Sequence, residues 1–396
     1  MNMTSAPMGA DIYPQLSWFS QERVARARVL VVGAGALGNE VLKDLVLFGV
    51  EHITLVDFDR VEPSNLSRSV LFSRRDADLH IYKVDAAARR LREMNPRLEV
   101  RTLKGDIAHC IGIGELRRMD VAIGCLDNRY ARYCLNRLCM RAGIPWVDGG
   151  IDSLEGTARV FAPGKNCYAC NLGTEGQREM RRRMSCAGTI RRNEEAGRAP
   201  TTPVTASVIA AVQVQEAMKL IHSEEIRKGT FTSLCGKMFY YDGQHLTTKL
   251  LSFAAWDDDC PMHDEWTPTA AVPLDVSTTT VGEALHIIKE ALHARDVSIS
   301  LRDYAFVDYV VHRRTDRRHD LLLPSFLVPA AIESHPELSR HPDGEYLTHE
   351  IRRLDTNFPY PTLTLEQVGI PPNDILHCTT PSLREEYVLL TALTRT

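Results

Sequence analysis

The sequence predicts an α/β protein. A Rossmann-like nucleotide-binding domain on a mostly parallel sheet should occupy residues 1–264, followed by a smaller α+β domain over 265–396. Three observations carry this. An apolar, β-branched run opens into glycines spaced G-x-G-x-x-G; a second such run ends in an acid; and further apolar runs alternate with helical patterns before the composition changes near Glu265.

The first run, Arg28–Val32, has the pattern of a strand buried on both faces. Gly33 permits a tight turn, Gly35 lets backbone approach phosphate, and Gly38 lets the following helix pack close to the strand. That helix, running to about Gly49, carries Val41, Leu42, Leu45, Val46 and Phe48 on one stripe. A second strand, His52–Val56, ends in Asp57 and Asp59, about 20 residues past the glycines, where an acid can hold ribose hydroxyls. Strand, glycines, helix, strand and acid together predict a dinucleotide or ATP site.

The next segment separates these two nucleotides. VEPSNLSRSVLF and HIYKVDAAARRLREMNP place Asn65, Arg68 and Lys83 just past the ribose acid. A guanidinium binds two phosphate oxygens at once and an ammonium acts as a point charge, so the pattern favours ATP over NAD. A buried strand at Asp120–Gly124 then delivers Asp127 and Asn128 to the carboxyl edge, where ligands of open α/β sheets bind. A carboxylate there suits Mg²⁺, which takes few protein ligands and several phosphate oxygens.

Two cysteine knuckles follow. NCYAC supplies Cys167 and Cys170, and DDCPMH supplies Cys260 and His263. Together they offer a Cys₃His set for a closed, structural zinc, with Cys235 or water as the alternative fourth ligand and a redox pair as the alternative use of Cys167 and Cys170. Between the knuckles, Cys186 sits among Arg181, Arg182, Arg183 and Arg191, which should favour its thiolate. An apolar helix over about Thr205–Ile221 comes next, with Thr202 or Thr205 as its cap.

Composition sets the remaining bounds. Forty-seven basic against fifty-one acidic residues give a net charge of −4, which points to neither nucleic acid nor membrane. The arginines around Cys186 lack interleaved aromatics and have acidic neighbours, so they read as a solvated loop or a face for an acidic protein. Ten cysteines scattered through a large chain, with Cys110, Cys125, Cys134 and Cys139 in apolar contexts, suit reduced thiols in a cytoplasmic protein. No signal-peptide pattern opens the sequence, and no apolar run reaches the ~18–20 residues of a spanning helix.

Past Glu265, WTPTAAVPLD reads as a Pro/Thr linker. A helix over Val281–Ala294 follows, capped by Thr280, then strand-like runs SISL, FVDYVVHRR and LLLPSFLV and two apolar strands near the end.

At these motifs the chain resembles the ThiF/MoeB/ubiquitin-activating-enzyme superfamily over about Ser17 to His263. The resemblance implies that Asp57 binds ribose, that Asn65, Arg68 and Lys83 contact phosphates, and that Asp127 positions magnesium. It implies attack of a protein's C-terminal carboxylate on the α-phosphate of ATP, with release of pyrophosphate. It also implies two-fold dimers, and a crossover-loop cysteine, here Cys186, that takes the activated ubiquitin-like protein as a thioester. The small terminal domain would then recruit a conjugating enzyme. Relatives often place an Arg shortly after a Tyr; here Pro14 and Gln15 follow Tyr13, leaving Arg23 or Arg26 as substitutes. His263 stands where the family usually has a fourth zinc cysteine. Two alternatives stay open: an adenylyltransferase of a sulfur-carrier protein with no thioester step, and a nucleotide-binding scaffold without activity.

Overall fold

A computed structural model describes residues 12–184, 201–253, 256–335, 337–340, 346–382 and 384–392. Cys186, Arg191 and the loop between them lie outside the described residues.

The chain divides into two compact units. The first holds an eight-stranded sheet: β1 Arg28–Val32, β2 His52–Val56, β3 Glu99–Leu103, β4 Val121–Gly124, β5 Trp146–Asp152, β6 Glu155–Phe161, β7 Lys237–Asp242 and β8 Thr247–Ser252, in the order β3-β2-β1-β4-β5-β6-β7-β8. Neighbours from β3 through β5 run parallel and those from β5 through β8 antiparallel. The α/β class and the mostly parallel nucleotide-binding half are thus as the motifs indicate. Strand order reverses between β1 and β4, and the carboxyl ends there open a crevice between connections that leave in opposite directions.

Both central strands are apolar for the expected reason. Val29–Val32 and Val121–Gly124 are buried throughout, because helices cover both faces. The first helix, Ala36–Phe48, ends at Gly49, whose φ of 91° is the left-handed closure that glycine adopts without strain. The helix Pro203–Ile221 starts on its Thr202 cap, whose side chain accepts from the Thr205 N–H. At 19 residues it is as long and apolar as a membrane span. Here it packs on Ala36–Phe48 and on β4, β5 and β6, and its buried Gln213 and Glu216 face partners in the core.

The second unit is α+β. A five-stranded sheet has the order β14-β10-β15-β16-β9, from β9 Ala270–Pro273, β10 Ser298–Ser300, β14 Arg353–Leu354, β15 Ile375–Thr379 and β16 Glu385–Thr391. A second sheet joins β12 Arg318–Pro324, β11 Phe306–His312 and β13 Tyr346–Ile351. The helix Val281–Ala291 starts on a Thr280–Glu283 capping box and buries Val281, Ala284, Leu285 and Ile288 in the cluster that holds Ile299, Leu376 and Val388. Two expectations fail here. The Pro/Thr stretch is no linker: Ala270–Pro273 pairs parallel with Val388–Thr391, and Pro273 is tolerated because β9 is an edge strand. The run LLLPSFLV is not one strand: Pro324 ends β12, and Val328–Ser334 is a helix.

This unit includes the segment Ile111–Glu115. Arg302 and Asp374, both buried, pair at 2.9 Å. Asp374 also accepts the Ile113 N–H at 2.7 Å, and Arg302 donates to the Ile111 carbonyl at 3.0 Å. Removing one partner leaves a buried charge without compensation. Arg302→Met is therefore expected to cost about 3 to 5 kcal/mol in denaturant unfolding of the whole chain. A loss within the scatter of surface substitutions would show that this pair does not hold the segment.

Candidate nucleotide and metal sites

The loop after β1 meets the end of β4 so closely that only glycine fits. A Cβ on Gly33 would lie 2.3 Å from the Cys125 carbonyl oxygen, and one on Gly38 would lie 2.0 Å from the Gly33 carbonyl oxygen. Gly35 has nothing within 4 Å, so its backbone is open to an approaching anion. The three glycines thus divide their tasks as the spacing implies: two for packing, one for access.

Asp57 leaves β2 and turns back to this loop. One carboxylate oxygen accepts the Ala34 N–H and the other the Asp59 N–H, each at 2.7 Å. Burial raises its pKa above the usual carboxylate value, while the charge of Lys83 and the two N–H donors pull the other way. Asp59 is spent differently. Its carboxylate pairs with the Lys83 ammonium at 2.6 Å, and its carbonyl accepts the Lys83 N–H. Lys83 begins the helix Lys83–Met94 and is itself buried, so Asp59 fixes the direction of this cation.

Asn65 ends a short 3₁₀ turn, Pro63–Asn65, and Arg68 lies three residues beyond it. Asn65 is buried, with its amide oxygen accepting the Glu62 N–H at 2.9 Å; Arg68 is half-buried and donates to the Ser64 carbonyl at 2.8 Å. At the other side of the crevice Asp127 is exposed and accepts from the Asn128 side chain at 3.1 Å. Asn128 itself caps the helix Arg129–Ala142, its amide oxygen accepting the Ala131 N–H, so its side-chain oxygen already has structural work. Arg23 and Arg26 are both ion-paired, with Glu224 at 2.7 Å and Glu22 at 2.8 Å.

Three buried polar residues that the motifs do not reveal hold this edge together. Asn39 donates to the Ala34 and Gly35 carbonyls and accepts the Leu71 N–H at 2.8 Å, tying the glycine loop to the segment that bears Arg68. Asp148, at the core end of β5, receives Arg132 at 2.9 Å and also Arg159. Gln213 reaches from the helix Pro203–Ile221 to the Gly124 carbonyl at 2.9 Å. The one signal in the sequence is a polar residue inside an otherwise apolar run, as Asp148 is in IPWVDGGI.

The knuckles do meet. Among the described residues, the ligand atoms of Cys167, Cys170, Cys260 and His263 all lie within 4.8 Å of one another. Sulfur–sulfur separations are 3.7 and 3.8 Å, and Cys170 Sγ lies 3.2 Å from His263 Nε2. A tetrahedron with Zn–S bonds of ~2.3 Å has edges of about 3.8 Å, so the donor set fits zinc in both chemistry and size. Cys235 is not in this set; it bridges to Val160 of β6. Trp256 stacks on the His263 ring at 3.6 Å, and buried Asn136 accepts the Tyr168 N–H between the first two thiols. Four protein donors leave no open position, which is the arrangement of a structural metal.

The glycine loop, the acid that follows β2 and Cys125 at the end of β4, two residues before Asp127, therefore meet in one unit. The ThiF family model matches residues 10–262. The chain belongs to the ThiF family. It is 32% identical over 245 residues to the SAMP-activating enzyme E1 of Haloferax volcanii, covering 62% of this chain and 83% of that one. It is 27% identical over 250 residues to the adenylyltransferase and sulfurtransferase MOCS3-1 of Zea mays, covering 63% of this chain but only 49% of the maize protein. Among solved structures, the E. coli MccB crystal structure with ATP aligns at 21% identity and a TM-score of 0.48, over 61% of this chain and 68% of that one. The family match covers most of the first unit and ends before Trp266, where the main part of the second unit begins.

Proposed function

We propose that this ThiF-family protein adenylates the C-terminal carboxylate of a small β-grasp protein, a ubiquitin-like or sulfur-carrier partner, using ATP. The observation that carries the reading is the meeting of the glycine loop with Cys125 at the end of β4, two residues before Asp127, which supports a phosphate site there. Asp57 would take the ribose hydroxyls. Lys83, aimed by Asp59, and Arg68 would neutralise the phosphates, with Asn65 beside them. Asp127 would hold Mg²⁺, which supplies charge neutralisation on the phosphates when bound. The partner's carboxylate oxygen bonds to the α-phosphorus, the bond to the β-phosphate oxygen breaks, and pyrophosphate leaves. No proton moves in this step, so positioning and charge carry it. Zinc at Cys167, Cys170, Cys260 and His263 would staple the edge of the unit.

A further step rests on Cys186. Its neighbours Arg181, Arg182, Arg183 and Arg191 favour thiolate, which would attack the acyl carbonyl of the adenylate, expel AMP and hold the partner as a thioester for a conjugating enzyme. The relative named as a SAMP-activating E1 supports a ubiquitin-like partner, and the one of Thermus thermophilus named as a sulfur carrier protein adenylyltransferase supports a sulfur-carrier partner. The reading includes a homodimer with two equivalent sites, and a cytoplasmic setting in which the thiols stay reduced.

The test is ATP–pyrophosphate exchange with candidate β-grasp partners, read beside a non-reducing gel. Cys186→Ala is expected to retain exchange and lose a thiol-sensitive adduct completely. An adduct that persists in that variant and vanishes in Cys235→Ala would move the transfer to Cys235. Exchange without any adduct in the unaltered chain would select the sulfur-carrier branch, and no exchange with any such partner would overturn the adenylation reading.

A further inference from the structure

We infer that Arg132 is a positioning residue that fixes the Asp127 segment, by clamping the loop after β4 to the middle of β5. Arg132 lies in the first turn of the helix Arg129–Ala142, and its guanidinium makes three bonds in three directions. Its Nε donates to Asp148 at 2.9 Å. Its Nη2 donates to the Leu126 carbonyl at 2.6 Å, next to Asp127, and to the Gly149 carbonyl at 3.1 Å. The carbonyl of Leu126 belongs to the loop that carries the candidate magnesium ligand, and Gly149 belongs to the neighbouring strand. One side chain thus spans the two peptide segments that border Asp127.

The clamp is built to be stiff. Asp148 is fully buried, and it is balanced on its other side by Arg159 from β6. A buried carboxylate between two guanidiniums cannot reorient without leaving a charge unpaired, so Arg132 is held at its base while its other nitrogen holds the loop. Lys could not substitute, because an ammonium lacks the planar fork that reaches a carboxylate and two carbonyls together. Asp127 is exposed, its carboxylate accepts from the Asn128 amide, and it lies within electrostatic reach of the Arg132 charge, so the clamp bears on it directly. Outer-shell partners that orient a ligating carboxylate act in this way at metal sites.

The consequence for catalysis rests on the proposed function, since it assumes that Asp127 receives Mg²⁺; the clamp itself does not. Two variants separate the clamp from simple loss of stability. Arg132→Met and Arg159→Met each remove one arm of Asp148 and leave the other, but only Arg132 touches the loop. Hydrogen–deuterium exchange on the full chain reads the loop directly. Protection over residues 125–128 should fall in Arg132→Met and stay in Arg159→Met, and equal protection in the two would overturn the clamp whatever the protein's activity.

The second readout is the Mg²⁺ concentration for half-maximal ATP–pyrophosphate exchange. It should rise about tenfold in Arg132→Met and stay near the parent value in Arg159→Met. A loosened loop with unchanged metal demand would refute the role for Asp127 while leaving the clamp standing. If both variants fail to fold, Arg132→Lys gives the same comparison against Arg159→Lys, which keeps a charge beside Asp148 in each.

Discussion

Replacing Asp127 by alanine is expected to lower partner-dependent ATP–pyrophosphate exchange by about a hundredfold or more, the scale on which a single electrostatic contact to developing charge is felt. The fold should not change. Asp127 is exposed, it lies outside the helix it precedes, and the cap of that helix is Asn128 rather than Asp127. The thermal midpoint of the variant should therefore match the parent within the ±0.5 kcal/mol usual for surface substitutions. Unchanged exchange would remove Asp127 from the catalytic edge. Lost exchange together with a lowered midpoint would mean that the loop, not the carboxylate, had been damaged.

Removing a zinc ligand should have the second large effect. The purified chain is expected to carry about one zinc, and Cys167→Ser should lose it and unfold at markedly lower denaturant. Structural zinc is worth ~10–16 kcal/mol in small peptides that depend on it; here an independent core shares the load, so a loss of several kcal/mol is the expected scale. Cys167 and Cys260 stand 93 residues apart in sequence, so the metal closes a long loop. Hydrogen bonding between the two draws the Cys167 thiol below the usual thiol range and pushes Cys260 above it. Metal analysis of the parent and of Cys167→Ser decides the matter, and a zinc-free parent of ordinary stability would refute the site.

Much of the site was legible because its parts are local. Arg28–Val32 and His52–Val56 are runs whose apolar faces permit nothing but buried strands, and both occur with those bounds. Gly33, Gly35 and Gly38 speak through spacing alone. The knuckles were legible as pairs because two donors three residues apart sit on one turn.

What escaped was set across the chain. Asp57 and Asp59 are equivalent in the sequence, yet Asp57 folds back on Ala34 while Asp59 takes Lys83. Asn128 has the look of a ligand and serves as a helix cap. WTPTAAVPLD has a linker's composition and becomes an edge strand, because β16 offers it a row of unpaired backbone groups. Arg132, Asp148 and Arg159 are unremarked charges until burial puts one carboxylate between two guanidiniums.

The amino-acid order alone determined the α/β class, the nucleotide-binding unit, its glycine loop and the four metal donors, since hydrophobic period, backbone freedom and ligand chemistry are properties of short segments. Tertiary structure decided which acid turns back to the glycine loop and which aims the lysine. It also decided that the metal donors converge, and that Arg132 braces the Asp127 loop. These depend on distances between residues far apart in sequence, which the pairing of β1 with β2 and β4, of β4 with β5, and of β6 with β7 and β7 with β8 sets.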